Sequence, residues 1–210
     1  MTDADRPLVA VLDYGIGNLR SAQKALERVG ADARLTADRG LIADAAAVVL
    51  PGVGAFGACM DALRDCRLEV VATEAALDHR PFLGVCVGMQ LLYEGSEESP
   101  GAAGLGVLPG VLRLLPPSVK RPQMQWNLVD VRRPSALFAS IIDPVWVYFV
   151  HSYAADPEGE SVVATCDYGG PVAAAVERPG LWATQFHPEK SGSVGLEILR
   201  GFVDSARVAV

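Results

Sequence analysis

Apolar runs and amphipathic stretches alternate along the first half of the chain. The wholly apolar run at 8–12 predicts a buried strand, and apolar residues at helical spacing from 19 to 29 predict a helix that Asn18 caps and Gly30 ends. The same patterns predict strands at 46–50, 81–85 and 181–186, and helices near 57–65, 67–79 and 193–206, with a further helix starting at 87. Strands that are apolar throughout and separated by helices indicate a parallel sheet covered on both faces.

The middle of the chain has a different pattern. Short β-like runs at 111–115, 127–131 and 145–150 are separated by proline-rich turns, which favours antiparallel strands beside the parallel core. No repeat or domain boundary interrupts the sequence. We therefore expect a single α/β domain over residues 1–210, with a central, mostly parallel sheet flanked by helices and extended by antiparallel strands.

Charge and composition exclude several classes of function. The net charge of −7 disfavours a nucleic-acid partner, which would require a basic face. No run reaches the roughly 18 uninterrupted apolar residues of a membrane span, and the N-terminus lacks a signal-peptide profile. Four cysteines without disulfide or zinc spacing, and only three histidines, give no basis for a metal or another cofactor. A reduced, cytoplasmic setting is the simplest interpretation.

The sharpest chemical motif is Gly84-Val85-Cys86-Val87-Gly88, between a predicted strand and a predicted helix. It is the cysteine version of the G-x-S-x-G nucleophile elbow. A helix N-terminus favours a thiolate at Cys86, and the N–H of Val87 would face a developing oxyanion. A buried structural cysteine is the ordinary alternative, but the strand–turn–helix context favours catalysis. The other three cysteines lack that context, and we interpret them as packing residues: Cys59, Cys66 and Cys166.

A cysteine nucleophile needs a base, and the base needs a group that orients it. His187 follows a predicted strand, and Glu189 lies two residues further on, across a rigid proline. Active sites collect where parallel strands end at the same edge of a sheet. We therefore expect a Cys86–His187–Glu189 triad. His79, by contrast, is interpreted as a cation at a helix end.

Together, the GVCVGMQLL motif and the distal FHPE motif resemble the class I, triad-type glutamine amidotransferases over nearly the whole chain. The resemblance implies a flavodoxin-like fold and hydrolysis of the L-glutamine amide through a γ-glutamyl thioester. His187 would protonate the leaving ammonia and then activate water.

The family also implies a role for the loop Pro51-Gly52-Val53-Gly54, which on its own would be a plain turn. Such a loop supplies a second backbone N–H, here that of Val53, to the oxyanion. Because Val53 lies between two glycines, its peptide could rotate at little steric cost. We therefore hypothesise that the oxyanion hole is mis-set in the resting subunit and is completed when a partner is loaded.

Three segments resemble the glutaminase branch of imidazole glycerol phosphate synthases: 13–19, 88–90 and 149–153. Anthranilate-type glutaminases tend to carry histidine at the position of Met89, so this methionine weighs against that branch. The resemblance implies a separate cyclase subunit with a (β/α)₈ barrel, which would receive ammonia and make imidazole glycerol phosphate and aminoimidazole carboxamide ribotide in histidine biosynthesis. The acidic charge suits docking onto a basic barrel face.

The same resemblance suggests further site residues. Those expected near the substrate glutamine are Gly52, Gly54, Gln90, Glu98, Ser152 and Tyr153. Those expected at the partner interface or the ammonia exit are Asn18, Trp126, Asn127, Tyr148 and Lys190. The chain departs from the family at one run, Pro-His-Met-Gly-Trp-Asn, because Gln123 and Gln125 stand where the family has the histidine and the glycine. That departure leaves the interface details of this loop open.

Three other functions are compatible with these motifs. The chain could serve another synthase, for anthranilate or aminodeoxychorismate, and the acceptor partner would distinguish these. It could be a stand-alone cysteine hydrolase, which would turn over without a partner. It could also be a regulatory module that has lost catalysis, although the intact Cys86, His187 and Glu189 argue against that.

Overall fold

The computed structural model describes residues 6–142 and 144–208. Within them, twelve strands form a nine-stranded sheet and a small three-stranded sheet. The strands are β1 (Leu8–Leu12), β2 (Asp32–Thr36), β3 (Ala47–Gly52), β4 (Phe82–Cys86), β5 (Gly95–Ser96), β6 (Val111–Leu114), β7 (Gln123–Val131), β8 (Val145–His151), β9 (Tyr153–Ala154), β10 (Val162–Asp167), β11 (Pro171–Arg178) and β12 (Leu181–Thr184). The helices are α1 (Leu19–Arg28), α2 (Arg39–Asp44), α3 (Phe56–Asp65), α4 (Glu69–Leu77), α5 (Val87–Gln90) and α6 (Gly192–Val208).

The large sheet has a parallel half and an antiparallel half, in the order β2-β1-β3-β4-β12-β11-β10-β7-β8. The first five strands run parallel, and each later neighbour pairs antiparallel. Every residue of β3, β4 and β12 is buried, as expected for strands covered on both faces. The predicted α/β class, with a mostly parallel core and added antiparallel strands, is therefore confirmed.

One predicted strand belongs elsewhere. The run at 111–115 forms β6, which pairs with β5 and β9 in the small sheet and does not extend the large one. The buried apolar residues nevertheless form one connected cluster across the described chain. The assignment of residues 1–210 to a single domain stays a prediction.

Two helix ends differ from the pattern-based prediction. The helix expected over 67–79 covers only Glu69–Leu77, because Arg67 and His79 have φ of +56° and +57° and left-handed backbone cannot continue a right-handed helix. His79 therefore lies outside the helix whose end it was expected to occupy. Asn18 does occupy the N-cap of α1, but its side chain makes no capping hydrogen bond, and its backbone carbonyl accepts from the N–H groups of Ser21 and Ala22.

Two further observations concern individual predictions. Cys66 is exposed, so the interpretation of this cysteine as a packing residue was wrong, whereas Cys59 and Cys166 are buried. In the part of the chain that the structure describes, no helix combines the length and the apolar character needed to cross a membrane.

Candidate active site

Cys86 lies on a sharp strand-to-helix turn. It is the last residue of β4 and the N-cap of α5, with a left-handed φ of +55°. The glycines of the motif are required by close packing. A Cβ on Gly88 would lie 1.8 Å from the carbonyl oxygen of Leu50 in β3, and one on Gly84 would lie 3.0 Å from the Gly88 carbonyl oxygen. The backbone conformation and the packing are those of a nucleophile elbow.

The predicted base and carboxylate form a buried pair. His187 Nδ1 lies 2.8 Å from Glu189 Oε1, and the two side chains are 2% and 3% exposed. A 3₁₀ turn at Pro188–Lys190 sets this spacing. The backbone N–H of His187 donates to the carbonyl of Tyr148, and the Ser191 hydroxyl donates to the carbonyl of His187. The turn is therefore fixed against β8, and the imidazole has little freedom to rotate.

The structure brings Cys86 and His187 together. Strands β4 and β12 are parallel neighbours, with Val85 opposite Thr184, so their carboxyl ends meet at one sheet edge. Burial lowers the pKa of His187, but hydrogen bonding to Cys86 and Glu189, together with their negative charges, outweighs burial and raises it to about 9. Nδ1 is held by Glu189, which leaves the buried Nε2 for the sulfur. This geometry places the imidazole where it can take the proton of the Cys86 thiol.

The loop that follows β3 lies directly against the elbow. Gly52 is in register with Cys86, and a Cβ on Gly52 would lie 2.7 Å from the amide nitrogen of Gly88. Two side chains hold this loop. The Tyr14 hydroxyl donates to the carbonyl of Pro51 at 2.6 Å, and the Cys59 thiol donates to the carbonyl of Val53 at 3.2 Å. The Gly52–Val53 peptide, which carries the Val53 N–H, is therefore restrained from both sides. Gly54 follows with a φ of +95°.

The residues expected near the glutamine substrate adjoin the elbow and this loop, and several already have protein partners. Glu98 Oε2 accepts the N–H of Phe56 at 2.7 Å, two residues beyond Gly54 at the start of α3. Gln90 Nε2 donates to the carbonyl of Tyr153 at 3.1 Å. Ser152 and Tyr153 are half-buried and follow β8.

Two buried residues, one beside Cys86 and one within electrostatic reach of His187, were not identified from the sequence. Gln185 Nε2 lies 3.9 Å from Cys86 Sγ, and His151 Nδ1 lies 3.0 Å from the carbonyl oxygen of Tyr153. Burial lowers the pKa of His151 to about 4, so this imidazole is neutral and does not compete with His187 for a proton. Gln185 stands two positions before His187 in the same motif. Its position close to His187 could have indicated a place in the site, but an amide at a strand end suggests no chemistry by itself.

Two of the five residues expected at a partner interface, Trp126 and Tyr148, lie on one exposed surface. We define the outer β7–β8 face by five side chains that project from these strands: Met124, Trp126, Leu128, Trp146 and Tyr148. Trp126 is 49% exposed and packs edge-to-face on Tyr148, with ring centroids 6.4 Å apart. Met124 is 60% exposed. Exposed apolar side chains in such a cluster are typical of a protein-binding surface.

The remaining interface candidates differ in exposure. Lys190 is exposed at the end of the triad turn, and Asn18 is half-buried. Asn127 is half-buried, and its Nδ2 donates to the carbonyl of Asp167 at 2.8 Å, which ties the side chain into the sheet. A Cβ on Gly192 would lie 3.9 Å from the Trp126 ring, so the outer β7–β8 face adjoins the start of α6, just beyond the triad turn.

Metal chemistry has no candidate site in residues 6–142 and 144–208, where no three His, Cys, Asp or Glu side chains are grouped to hold an ion. A thiol on an elbow, beside an imidazole that a carboxylate holds, is instead the arrangement of cysteine-dependent acyl-transfer enzymes. The fold and the site therefore define that class.

Comparisons with known proteins identify the family. The sequence profile described as "Glutamine amidotransferase class-I" matches residues 10–206. A protein from Methanothermobacter thermautotrophicus named "Imidazole glycerol phosphate synthase subunit HisH" is 46% identical over 200 residues, covering 95% of this chain and all of the relative. Proteins of the same name from Bacillus cereus and Synechococcus elongatus are 44% and 46% identical, covering 93% and 98% of this chain and 93% and 97% of their own lengths.

Solved structures share the fold. A structure titled as a glutamine amidotransferase superposes with a TM-score of 0.73 at 20% identity, covering 94% of this chain and 98% of the other. A structure of PurLQS from Thermotoga maritima superposes with a TM-score of 0.70 at 19% identity, covering 96% and 97%. The chain belongs to the class I glutamine amidotransferases and, among them, to the family of HisH subunits of imidazole glycerol phosphate synthase. The resemblance stated from the motifs is thereby confirmed.

Proposed function

We propose that Cys86, His187 and Glu189 are the catalytic triad of this glutamine amidotransferase, and that they release ammonia from L-glutamine through a thioester on Cys86. The observation that carries the proposal is the coupled geometry of His187, whose Nδ1 is 2.8 Å from Glu189 while Cys86 and Glu189 together raise its pKa to about 9. Such an imidazole accepts the thiol proton readily and holds it close to where the leaving group forms.

The reaction then proceeds in two halves. The thiol proton moves to His187 Nε2, and the Cys86 sulfur attacks the amide carbon. The backbone N–H groups of Val87 and Val53 stabilise the oxyanion. When the C–N bond breaks, His187 gives its proton to the departing ammonia and the thioester remains. His187 next takes a proton from water, the hydroxide attacks the thioester carbon, and glutamate leaves as the sulfur regains the proton.

We also propose that the oxyanion loop is gated. The Tyr14 and Cys59 hydrogen bonds hold the peptides on either side of Gly52–Val53. If this is the resting position, the Val53 N–H becomes available only when the loop rearranges. Partner binding would supply the free energy for that change. An isolated subunit with the full glutaminase rate would refute the gate.

The substrate glutamine would bind between this loop and the end of β8. The unused oxygen of Glu98 suits an α-ammonium group, and donors at Ser152 and Tyr153 suit an α-carboxylate. The rest of the substrate site would be lined by Gly52, Gly54 and Gln90. Because the Gln90 nitrogen is already bonded to Tyr153, only its oxygen would be available to the substrate.

The partner is proposed to be a cyclase subunit with a (β/α)₈ barrel, because the relatives are named as subunits of imidazole glycerol phosphate synthase. The outer β7–β8 face would be the centre of the contact, with Lys190, Asn18 and Asn127 near the ammonia exit. The ammonia would pass unprotonated into the partner, for synthesis of imidazole glycerol phosphate and aminoimidazole carboxamide ribotide in histidine biosynthesis. A nucleophilic thiol also requires reducing surroundings, which supports the cytoplasm as the setting.

Two variants test the triad and the partner. Cys86→Ala should lose glutamine-dependent synthesis while the complex still uses added ammonium salt, and normal glutamine turnover in Cys86→Ala would refute the thioester. Trp126→Asp should prevent co-purification with a barrel cyclase. Capture of a chorismate-using synthase instead would favour the anthranilate or aminodeoxychorismate alternative, and full activity without any partner would favour a stand-alone hydrolase.

A further inference from the structure

The orientation of the Gln185 amide is fixed by a chain of hydrogen bonds that starts at a main-chain carbonyl. The carbonyl of Tyr153 can only accept, so the group that Gln90 directs at it, 3.1 Å away, is its NH₂. The same NH₂ lies 3.1 Å from the Gln185 side chain, which must therefore present its oxygen. It follows that the NH₂ of Gln185, and not its oxygen, faces Cys86 Sγ at 3.9 Å.

This donor faces a sulfur that also has an acceptor beside it. The Cys86 thiol points at the carbonyl of Val150, 3.8 Å away, which is a contact that only the protonated sulfur can make. The Gln185 NH₂, in contrast, interacts more strongly with a thiolate than with a thiol, because its hydrogen bond is then charge-assisted. Gln185 is fully buried, at 0% exposure, so little water screens this interaction.

We propose that Gln185 is a positioning residue that stabilises the thiolate of Cys86 through its oriented NH₂, with Gln90 holding the amide in that orientation. The inference rests on the proposed role of Cys86 as nucleophile. When the thiol proton moves to His187, the sulfur loses its contact with Val150 and gains a full negative charge. The Gln185 donor is then already in place 3.9 Å from the sulfur, and no reorganisation is required.

The side-chain volume of Gln185 does not explain its presence. A methionine would fill nearly the same space without two polar atoms to satisfy. A second glutamine in the sheet provides a comparison: Gln123 is also 0% exposed and its Nε2 lies 3.8 Å from the Cys166 sulfur, but neither residue belongs to the triad. Gln123→Met is therefore a matched control for the loss of a buried amide beside a thiol.

The test is the pH profile of Cys86 alkylation by iodoacetamide in the full-length isolated subunit. The rate is followed on the Cys86 peptide by mass spectrometry, because the exposed Cys66 also reacts. Removing the donor in Gln185→Met should move the midpoint up by about one pH unit, the tenfold effect expected of a hydrogen bond to a charged group. Gln185→Glu has the same shape but places a carboxylate at the sulfur, so its midpoint should rise further. Gln123→Met should keep the wild-type midpoint.

Glutamine turnover by the complex gives a second readout. In Gln185→Met, kcat near neutral pH should fall about tenfold while KM changes less than twofold, since the amide acts on the nucleophile. Wild-type midpoints in folded Gln185→Met and Gln185→Glu would overturn the proposal. So would a shift of equal size in all three variants, which would indicate loosened packing.

If the Gln185 variants do not fold, Gln90→Met provides the test, because it releases the Gln185 amide without removing it. An unchanged midpoint in Gln90→Met would then overturn the proposal. Failure of the proposed triad is distinguishable, because it would appear as glutamine turnover in Cys86→Ala, whatever the Gln185 variants do.

Discussion

Replacing Glu189 by glutamine removes the negative charge next to His187 and leaves the shape of the side chain unchanged. The amide oxygen can still accept from Nδ1 across the same 2.8 Å, so the imidazole should keep its orientation. What is lost is the charge that helps raise the pKa of His187 to about 9 against the effect of burial. Both side chains are at most 3% exposed, so solvent cannot replace that charge.

The magnitude follows from the kind of bond that is lost. A hydrogen bond to a charged group contributes about 1.5–3 kcal/mol, against about 1 kcal/mol for a neutral one. If the imidazolium of the transition state loses this difference of about 0.5–2 kcal/mol, kcat falls roughly 2- to 30-fold. KM should change little, because Glu189 is not placed against the substrate.

The assay is glutamate release by the complex between pH 6 and pH 10. In a plot of rate against pH, one limb follows the protonation of His187. In Glu189→Gln this limb should move to lower pH, because the pKa of His187 falls. The control is Glu197→Gln, which removes a surface carboxylate paired with Arg200 at 44% and 42% side-chain exposure and should leave both rate and profile unchanged. A Glu189→Gln variant with the wild-type rate and pH profile would remove Glu189 from the triad.

Three further predictions concern packing, gating and pH. Gly88→Ala should lower the free energy of unfolding by about 3 kcal/mol, because the new methyl group would lie 1.8 Å from the carbonyl of Leu50, and urea denaturation measures this. Cys59→Ala, which removes one restraint on the oxyanion loop, should raise the partner-independent glutaminase rate several-fold, as steady-state assays of the isolated subunit would detect. The pKa of His187 rises from 6.5 to about 9 on folding, so this group stabilises the fold fully below pH 6.5 and loses that contribution as the pH passes through about 9. The stability deficit of Glu189→Gln should therefore be largest near pH 6 and smallest above pH 9, measured by thermal unfolding.

Each of these predictions has a control or a contrary result. Gly40→Ala in α2 meets only the flexible Asp38 carboxylate at 3.2 Å, so it should cost far less than Gly88→Ala. Cys59→Ser keeps a donor for the loop and should preserve the low basal rate, and a Cys59→Ala variant that stays as inactive as the wild type would contradict the restraint. A Glu189→Gln deficit that grows with rising pH would show that the sign assigned to His187 is wrong.

Local patterns determined the parts of this protein that depend only on neighbouring residues. The apolar runs at β1, β3, β4 and β12 predicted a buried parallel core, because each run is short, continuous and followed by a turn. The elbow around Cys86 was also evident, since its glycines mark where backbones approach closely. The elbow motif and the distal FHPE motif together indicated the amidotransferase family, which the comparisons confirmed.

Other elements left no such pattern. No strand was predicted at β2, β10 or β11. Strand β11 contains Ala173–Ala175, all fully buried, and alanine is a poor strand former whose placement here depends on pairing with β10 and β12. Strand β2 carries polar residues at its exposed positions because it is the edge of the sheet. Tertiary pairing, not local propensity, decided these three strands.

The surroundings of the Cys86 sulfur show most clearly what the local sequence determines and what the tertiary structure decides. Cys86 and Gln185 are 99 positions apart, and their contact exists because β4 and β12 are neighbours in the sheet. Which end of the Gln185 amide meets the sulfur depends on Gln90, and the orientation of Gln90 depends on a carbonyl in β9. The sequence supplied the reactive groups, whereas the direction of each hydrogen bond was set only when strands distant in the chain brought donors and acceptors within reach.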